Sequence, residues 1–194
     1  MKVAVIKYNA GNITSVEFAF KRIGIDVLVT DDKDEISSAD KVIFPGVGEA
    51  SSAMTYLRDK KLDQLIKELK QPVLGICLGM QLMCEHSEEG KTDCLGIFSQ
   101  AVKKFTSDEF KIPQIGWNTI YNLSSPLFKN IKENSYMYFV HGYYAELGPN
   151  TISKTNYIIE YSSALKKNNF YGAQFHPEKS GDIGEQILKN FIEL

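Results

Sequence analysis

Residues 75–79, which read Gly-Ile-Cys-Leu-Gly, constrain the fold more than any other part of the 194-residue chain. They follow a short apolar run at 72–74 and open a stretch with helical spacing that reaches residue 86. A cysteine framed by glycines between a strand and a helix indicates a nucleophile elbow, a sharp turn that lifts the side chain above a sheet. The helix N-terminus favours a thiolate there, so Cys77 is predicted to be a nucleophile.

A histidine and a glutamate far downstream complete the pattern of a catalytic triad. Residues 174–178 read Gln-Phe-His-Pro-Glu. His176 can act as the base and Glu178 can orient it, because alternation places both side chains on one side of the chain and Pro177 stiffens the link. We therefore predict Cys77, His176 and Glu178 as the catalytic residues.

The other two cysteines carry no such signature. Cys84 lies seven residues after Cys77 on the same face of the predicted helix, which favours a place in the core. Cys94 has no partner pattern. Three unevenly spaced cysteines predict neither a disulfide framework nor a zinc site, and we expect no metal. A catalytic thiol requires a reducing compartment, which favours the cytoplasm.

The net charge and the short apolar runs of the chain limit what it can bind. The formal net charge is −2, which gives no attraction to nucleic acid or to an anionic membrane. No apolar run approaches the roughly 20 residues of a membrane span. The length suits one domain with a sizeable core, which we place at residues 1–194.

The first two-fifths of the chain alternate between strand and helix patterns. Strands are predicted at 3–6, 25–29, 42–44 and 73–74, helices at 13–23 and 62–69, and a polar connection at 31–40. This alternation indicates a parallel sheet. Sites in such sheets lie at the carboxyl ends of strands, where both the glycine-rich loop 45–48 and Cys77 fall.

The second half is rich in β-branched and aromatic residues. Segments 112–121, 136–145, 151–161 and 170–175 suggest antiparallel strands added to the core, and a closing helix is predicted at about 183–192. The predicted fold is α/β, with a mostly parallel central sheet flanked by helices and an added antiparallel β portion.

Five motifs together resemble the class I (triad) glutamine amidotransferases, and the resemblance runs from Tyr8 to Ser180. They are Pro-Gly-Val-Gly at 45–48, Gly-Ile-Cys-Leu-Gly-Met-Gln at 75–81, Ile-Gly-Trp-Asn at 115–118, Tyr-Phe-Val-His at 138–141 and Gln-Phe-His-Pro-Glu-Lys-Ser at 174–180. Within that family the first, third and last of these resemble the glutaminase subunits of imidazole glycerol phosphate synthases. The resemblance implies the class I glutamine amidotransferase fold, hydrolysis of glutamine to glutamate and ammonia, and no cofactor.

Acyl transfer from glutamine needs an oxyanion hole. The residue after an elbow nucleophile supplies one backbone N–H donor, which is Leu78 here. The second donor is expected from loop 45–48, with Val47 or Gly48 as the alternatives. Gly46 and Gly48 let the backbone approach the substrate or flip a peptide.

The resemblance also implies the residues that bind glutamine. Gln81, one helical turn beyond Cys77, and Glu89 are expected to hold the amino-acid moiety, with Glu88 as a competitor to Glu89. Backbone atoms of Gly142 and Tyr143 are expected to complete the pocket. The family more often has Ser or Thr at position 142, and a backbone contact survives that change.

A partner is implied in the same way. The glutaminase subunits of this kind dock on a (β/α)₈-barrel cyclase, which uses the ammonia to make imidazole glycerol phosphate and AICAR in histidine biosynthesis. Asn12, Trp117, Tyr138 and Lys179 match positions near that docking face. Two departures from the family pattern, at Lys7 and Gln114, could reflect a specialised partner.

Two alternatives stay open on the sequence. The same glutaminase chemistry could serve a paralogous barrel protein that adds nitrogen to a sugar or surface polysaccharide. The chain could also be a non-catalytic interaction subunit with the same fold, although the intact triad argues against it.

Overall fold

The structure is a computed structural model that describes residues 1–9 and 13–194. The strands are β1 (Val3–Ile6), β2 (Val27–Thr30), β3 (Lys41–Phe44), β4 (Val73–Ile76), β5 (His86–Ser87), β6 (Thr92–Asp93), β7 (Ala101–Lys104), β8 (Gln114–Ile120), β9 (Ser135–His141), β10 (Tyr143–Ala145), β11 (Thr151–Tyr157), β12 (Ile159–Lys167) and β13 (Phe170–Ala173). The helices are α1 (Ile13–Arg22), α2 (Lys33–Ser37), α3 (Ala50–Asp59), α4 (Leu62–Glu68), α5 (Leu78–Leu82) and α6 (Gly181–Glu193), with short 3-10 turns at Glu89–Lys91, Pro126–Phe128 and Pro177–Lys179.

The predicted parallel sheet is confirmed in strands β2, β1, β3, β4 and β13, which lie side by side in that order. All five are short runs of mainly apolar residues, and β1, β3, β4 and β13 are buried throughout. Strands of this kind need cover on both faces. One face packs against Phe20 of α1 and Leu188 of α6, and the other against Leu57 of α3 and Ile66 of α4.

An antiparallel portion continues the sheet beyond β13. Strand β12 pairs antiparallel with β13, and β10 and β7 follow in antiparallel order. The prediction placed segment 170–175 among these added strands, whereas β13 also pairs parallel with β4. Parallel neighbours end at the same edge of a sheet, so Cys77 and His176 follow the carboxyl ends of adjacent strands.

Strands β8 and β9 form a separate antiparallel ribbon, in which Trp117 is opposite Tyr138. The buried side chains of β9, among them Met137 and Phe139, enter the core, while Tyr136 faces outward. The backbone of β9 also contacts the segment that carries the triad, since the His176 N–H donates to the Tyr138 carbonyl at 2.9 Å. This ribbon therefore joins an exposed face to the centre of the molecule.

Two helices lie where none was predicted. Helix α2 falls inside the polar connection 31–40 and begins at Asp32, whose carboxylate accepts from the N–H groups of Asp34 and Glu35. Helix α3 follows loop 45–48 and buries Ala53, Met54 and Leu57.

The predicted helix at 78–86 is shorter than expected. Helix α5 ends at Leu82, because a returning segment takes the carbonyls that a longer helix would use. The N–H groups of Leu95, Gly96 and Phe98 donate to the carbonyls of Leu82, Cys84 and Met83 respectively. Across residues 1–9 and 13–194, the helices fall short of the length and apolar character that crossing a membrane needs.

Candidate active site

Cys77 is held in a strained backbone conformation at the junction of β4 and α5. Its φ of 52° and ψ of −108° lie in a region that L-residues rarely adopt, as an elbow requires. The turn is tight enough to bring Gly79 against β3: a Cβ at that position would lie 1.9 Å from the Phe44 carbonyl oxygen. Only glycine fits there, which explains the second glycine of the motif.

The three predicted catalytic side chains are brought together. The Cys77 and His176 side chains face the same cavity and interact electrostatically, and Nδ1 of His176 lies 2.7 Å from Oε1 of Glu178. The His176 and Glu178 side chains are only 3% and 2% exposed, so their ion pair is shielded from solvent. The order thiol, imidazole, carboxylate is the geometry of a triad.

The charge state of His176 follows from its neighbours. Burial alone would lower the pKa of its imidazole, but the Cys77 thiolate, the hydrogen bond with Cys77 and the Glu178 carboxylate outweigh burial and raise the pKa from 6.5 to about 10. The imidazole of His176 is therefore favoured in its protonated form at neutral pH.

A cavity opens directly above the nucleophile, and most of the residues predicted for binding and catalysis line it. Its wall is formed by Val47, Gly48, Cys77, Leu78, Gln81, Glu89, Val140, His141, Gly142, Tyr143, His176 and Lys179. Its volume of about 210 Å³ suits a small ligand. Gly46 and Glu178 lie behind this wall, where both border a second, much smaller space.

The predicted oxyanion donors are close together but are not both free. The N–H of Leu78 donates to the Gly46 carbonyl oxygen at 3.3 Å. In a trans peptide the C=O and the following N–H point in opposite directions, so the N–H of Val47 is turned away from Leu78. Gly48 has a φ of 120°, which only glycine adopts readily.

Gln81 is buried and its amide orientation is fixed. Its Nε2 donates to the Tyr143 carbonyl at 2.9 Å and to Oε1 of Gln174 at 2.8 Å. Both hydrogens of the amide are therefore used, and Oε1 of Gln81 is the atom left to meet a ligand.

Of the two competing glutamates, Glu89 lines the cavity and Glu88 does not. Glu89 accepts from the Ala50 N–H at 2.8 Å. Burial, with a smaller contribution from Glu49, raises the pKa of Glu89 against the effect of that hydrogen bond. Glu88 instead accepts from the Lys104 N–H at 2.7 Å, away from the cavity.

Several site residues were not predicted. The Val140 carbonyl and Nε2 of Gln174 each lie 3.6 Å from the sulfur of Cys77. The Tyr8 hydroxyl donates to the Pro45 carbonyl at 2.6 Å and so ties the end of β1 to loop 45–48. Burial, followed by the charge of Cys77, raises the pKa of Tyr8 far above its ordinary value, which keeps this hydroxyl a neutral donor.

His141 is a second buried histidine beside the triad. Its Nδ1 lies 2.7 Å from the Tyr143 carbonyl and must donate to it, and its Nε2 lies 3.2 Å from the Tyr161 hydroxyl. Burial lowers the pKa of His141 to about 4, so the ring stays neutral. The Tyr161 hydroxyl is also 3.0 Å from Oε1 of Gln114, which gives the unusual Gln114 a place in a buried hydrogen-bond network.

The residues predicted for a partner surface divide into three groups. Trp117 is 56% exposed and meets the partly buried Tyr138 edge to face, with ring centroids 5.8 Å apart. Lys179 lines the mouth of the cavity. Asn12 lies outside the described residues. Ile115 and Tyr136 extend the exposed apolar face around Trp117.

The cysteines and the acidic side chains of residues 1–9 and 13–194 do not form a metal site. All three cysteines are free thiols. In the described parts of the chain, His, Cys, Asp and Glu side chains are not gathered in groups of three or more that could hold a metal ion.

Sequence comparisons agree with this geometry. The family model of class I glutamine amidotransferases matches residues 5–194. The imidazole glycerol phosphate synthase subunits HisH of Bacteroides fragilis and Bacteroides thetaiotaomicron are 59% and 56% identical, and in both cases the match covers 100% of each chain. HisH of Pasteurella multocida is 46% identical, over 98% of this chain and 97% of its own.

Solved structures with far lower identity share the fold. PurLQS from Thermotoga maritima superposes with a TM-score of 0.75 at 15% identity, covering 99% of this chain and 97% of that one. The glutaminase domain of Trypanosoma brucei CTPS, solved with bound acivicin, gives a TM-score of 0.68 at 17% identity, covering 100% and 94%. The chain belongs to the class I glutamine amidotransferases.

Proposed function

We propose that this chain is the glutaminase subunit of an imidazole glycerol phosphate synthase and supplies ammonia for histidine biosynthesis. The observation that carries the proposal is the buried Cys77, His176 and Glu178 triad beneath a small cavity, in a chain that matches HisH subunits over its full length.

The triad supports acyl transfer from the side-chain amide of glutamine. The sulfur of Cys77 attacks the amide carbon, and the C–N bond breaks as His176 gives its proton to the departing nitrogen, which leaves as ammonia. Water then attacks the thioester, gives a proton to His176, and releases glutamate with return of the thiolate. Glu178 holds the ring of His176 and stabilises its cationic form.

The cavity wall supports recognition of an amino acid. Oxygen Oε1 of Gln81 and the carboxylate of Glu89 are acceptors suited to the α-ammonium group of glutamine. Backbone atoms of Gly142 and Tyr143 complete the wall beside them. Glu88 has no part in this arrangement, because Lys103 and Lys104 hold it.

We propose that one peptide rotation assembles the oxyanion hole. At rest, the N–H of Leu78 donates to the Gly46 carbonyl and is not available to a ligand. Rotation of the peptide between Gly46 and Val47 would free the Leu78 N–H and turn the Val47 N–H toward the same point. Both donors would then meet the oxyanion of the tetrahedral intermediate. Such a resting state limits wasteful hydrolysis until a partner is engaged.

The partner is a cyclase subunit, which we propose to be a (β/α)₈ barrel. The exposed aromatic face of Trp117 and Tyr138 has the residue types favoured in interfaces, and the exposed Lys179 lines the cavity. Ammonia would leave Cys77 toward the partner. The free thiols support a reducing compartment, for which we propose the cytoplasm.

The test compares two nitrogen sources in the complex with the cyclase subunit. Wild type should support synthesis of imidazole glycerol phosphate from either glutamine or ammonium salt. Cys77→Ala should fold, bind the cyclase and support synthesis from ammonium salt alone. Glutamine-dependent synthesis by Cys77→Ala within tenfold of wild type would refute the assignment.

A further inference from the structure

The side chain of Gln174, which is not a member of the triad, contacts the sulfur of the nucleophile. It is completely buried, and its Nε2 lies 3.6 Å from Sγ of Cys77, within hydrogen-bonding range of sulfur. The two residues are brought together across 97 positions of sequence by the pairing of β13 with β4.

The orientation of the Gln174 amide follows from its neighbours by elimination. The Tyr143 carbonyl can only accept, so the atom of Gln81 that faces it must be Nε2. That nitrogen then donates its second hydrogen to Gln174, which must present Oε1. The remaining atom of the Gln174 amide, its NH₂ group, is therefore the one that faces Cys77. The same Tyr143 carbonyl also accepts a hydrogen bond from Nδ1 of His141.

On the premise of the glutaminase function proposed above, we propose that Gln174 is a further catalytic residue that donates a hydrogen bond to the thiolate of Cys77. The Val140 carbonyl oxygen lies 3.6 Å from the same sulfur and repels negative charge there. The NH₂ group of Gln174 is a fixed neutral donor that offsets that repulsion without adding a proton that could be lost.

The donor acts when the sulfur is charged. It stabilises the resting thiolate, loosens as the sulfur bonds to the amide carbon of glutamine, and re-forms when the thioester C–S bond breaks and the sulfur departs with the electron pair. Hydrogen bonds to a charged group contribute more than those between neutral groups. Gln174 thus raises the fraction of reactive thiolate and helps the sulfur to leave in hydrolysis of the thioester.

Other titratable groups surround Cys77 and stay in place when Gln174 is changed. His176, with Glu178 behind it, is its direct partner, and the remaining groups on the cavity wall or beneath it are Glu89, His141, Tyr143, Lys179, Tyr8 and Tyr161. If the pH midpoint of Cys77 alkylation changes in a Gln174 variant and not in a Gln114 variant, the change is therefore due to loss of the Gln174 NH₂ donor.

The test measures the rate of Cys77 alkylation by iodoacetamide against pH, without glutamine, and subtracts the Cys77→Ala background from Cys84 and Cys94. Gln174→Met keeps the size of the side chain and removes the donor. Gln114→Met makes the same change in a buried glutamine that bonds Tyr161 and does not touch the sulfur. In Gln174→Met the midpoint of the profile should rise by about one pH unit or more, since a hydrogen bond to a charge contributes on this scale. Gln114→Met should match wild type.

Steady-state kinetics in the complex with the cyclase give the second readout. Gln174→Met should lower kcat by about tenfold or more and change KM less than kcat. If Gln174→Met does not fold, Gln174→Asn replaces it, because the shorter side chain withdraws the donor and keeps the polarity. An alkylation midpoint equal to wild type in the folded variant overturns the proposal. Absence of glutaminase activity in the wild-type complex would instead refute the proposed function, and the alkylation profile would still decide the contact.

Discussion

The carbonyl oxygen of Gly46 accepts a hydrogen bond of 3.3 Å from the backbone N–H of Leu78, the residue after the nucleophile. The N–H of Leu78, the first expected oxyanion donor, is thus already bonded to loop 45–48, the loop that is expected to supply the second donor. Tyr8 anchors the preceding carbonyl, that of Pro45, so a rotation would be confined to the peptide between Gly46 and Val47.

Val47→Pro should remove stimulation of the glutaminase by the cyclase and its ligand. Wild type should be stimulated by at least about 100-fold, the scale of gaining one oxyanion donor. Proline has no N–H to offer, so the variant should keep the basal rate and gain little. The measurement is the ratio of glutamine hydrolysis in the complex to that of the isolated chain.

Ammonia-dependent synthesis by the same complex is the control for folding and docking of Val47→Pro. If the variant is stimulated like wild type, the N–H of Val47 is not the second donor, and Gly48 takes that role. If the isolated wild-type chain already matches the complex, the occupied Leu78 donor does not limit the rate.

Substitutions of the three triad residues should reduce kcat to different extents. His176→Ala should reduce kcat about as severely as Cys77→Ala, because the members of a triad act as a unit. Glu178→Gln should be milder, since it keeps the shape and a hydrogen-bonding group beside Nδ1. Rates of the three variants in the complex check this order, and a greater loss in Glu178→Gln than in His176→Ala would contradict the assigned roles.

The alkaline limb of the profile of kcat/KM against pH should shift to lower pH in Glu178→Gln. The pKa of His176 is raised to about 10, so the imidazolium persists through neutral pH and is lost only as pH rises toward that value. Removing the Glu178 carboxylate removes one of the causes of the increase, and the limb should shift to lower pH. The measurement is kcat/KM against pH for both proteins, and an unchanged or higher alkaline limb would show that Glu178 does not stabilise the cation.

Trp117→Ala should weaken stimulation by the cyclase more than it weakens the fold. The indole is 56% exposed, so its removal uncovers little core, and it is an interface residue type. Phe18→Ala is the control, because Phe18 is a 60% exposed aromatic that lines a groove beside the edge strand β2. Melting temperature and cyclase affinity are measured for both. Equal losses of affinity in the two variants would remove Trp117 from the docking face.

The sequence was sufficient to anticipate the strained turn at Cys77 and the pairing of His176 with Glu178, because each signal is local, whereas their catalytic roles stay predictions. Two glycines frame Cys77, and the His-Pro-Glu spacing keeps His176 and Glu178 close, although a 3-10 turn at Pro177–Lys179, and not strand alternation, brings the two side chains together. Helix α2 had a signal that could have been used, since Asp32 and Glu35 have the spacing of a capping box. The predicted division of the chain into one domain at 1–194 stays a prediction.

The hydrogen-bond network beneath the pocket had no such signal. Gln81 meets Gln174 across 93 positions, and Tyr161 meets Gln114 across 47, so only the packed sheet brings these amides and hydroxyls together. The partner role of Tyr138 stays a prediction from its motif, and the motif gave no sign that the Tyr138 carbonyl accepts from the N–H of His176. Buried polar contacts of this kind depend on topology rather than on spacing.

The most direct test of the central claim is the number of glutamines consumed per imidazole glycerol phosphate formed, in a complex with the cyclase subunit from the same cell. We expect a ratio near one for wild type, because ammonia should pass to the partner without release. Lys179→Ala should raise the ratio while glutamine hydrolysis continues, since Lys179 lines the exit of the cavity. If the wild-type chain does not bind or feed this cyclase and instead feeds a paralogous barrel protein, the assignment to histidine biosynthesis is wrong.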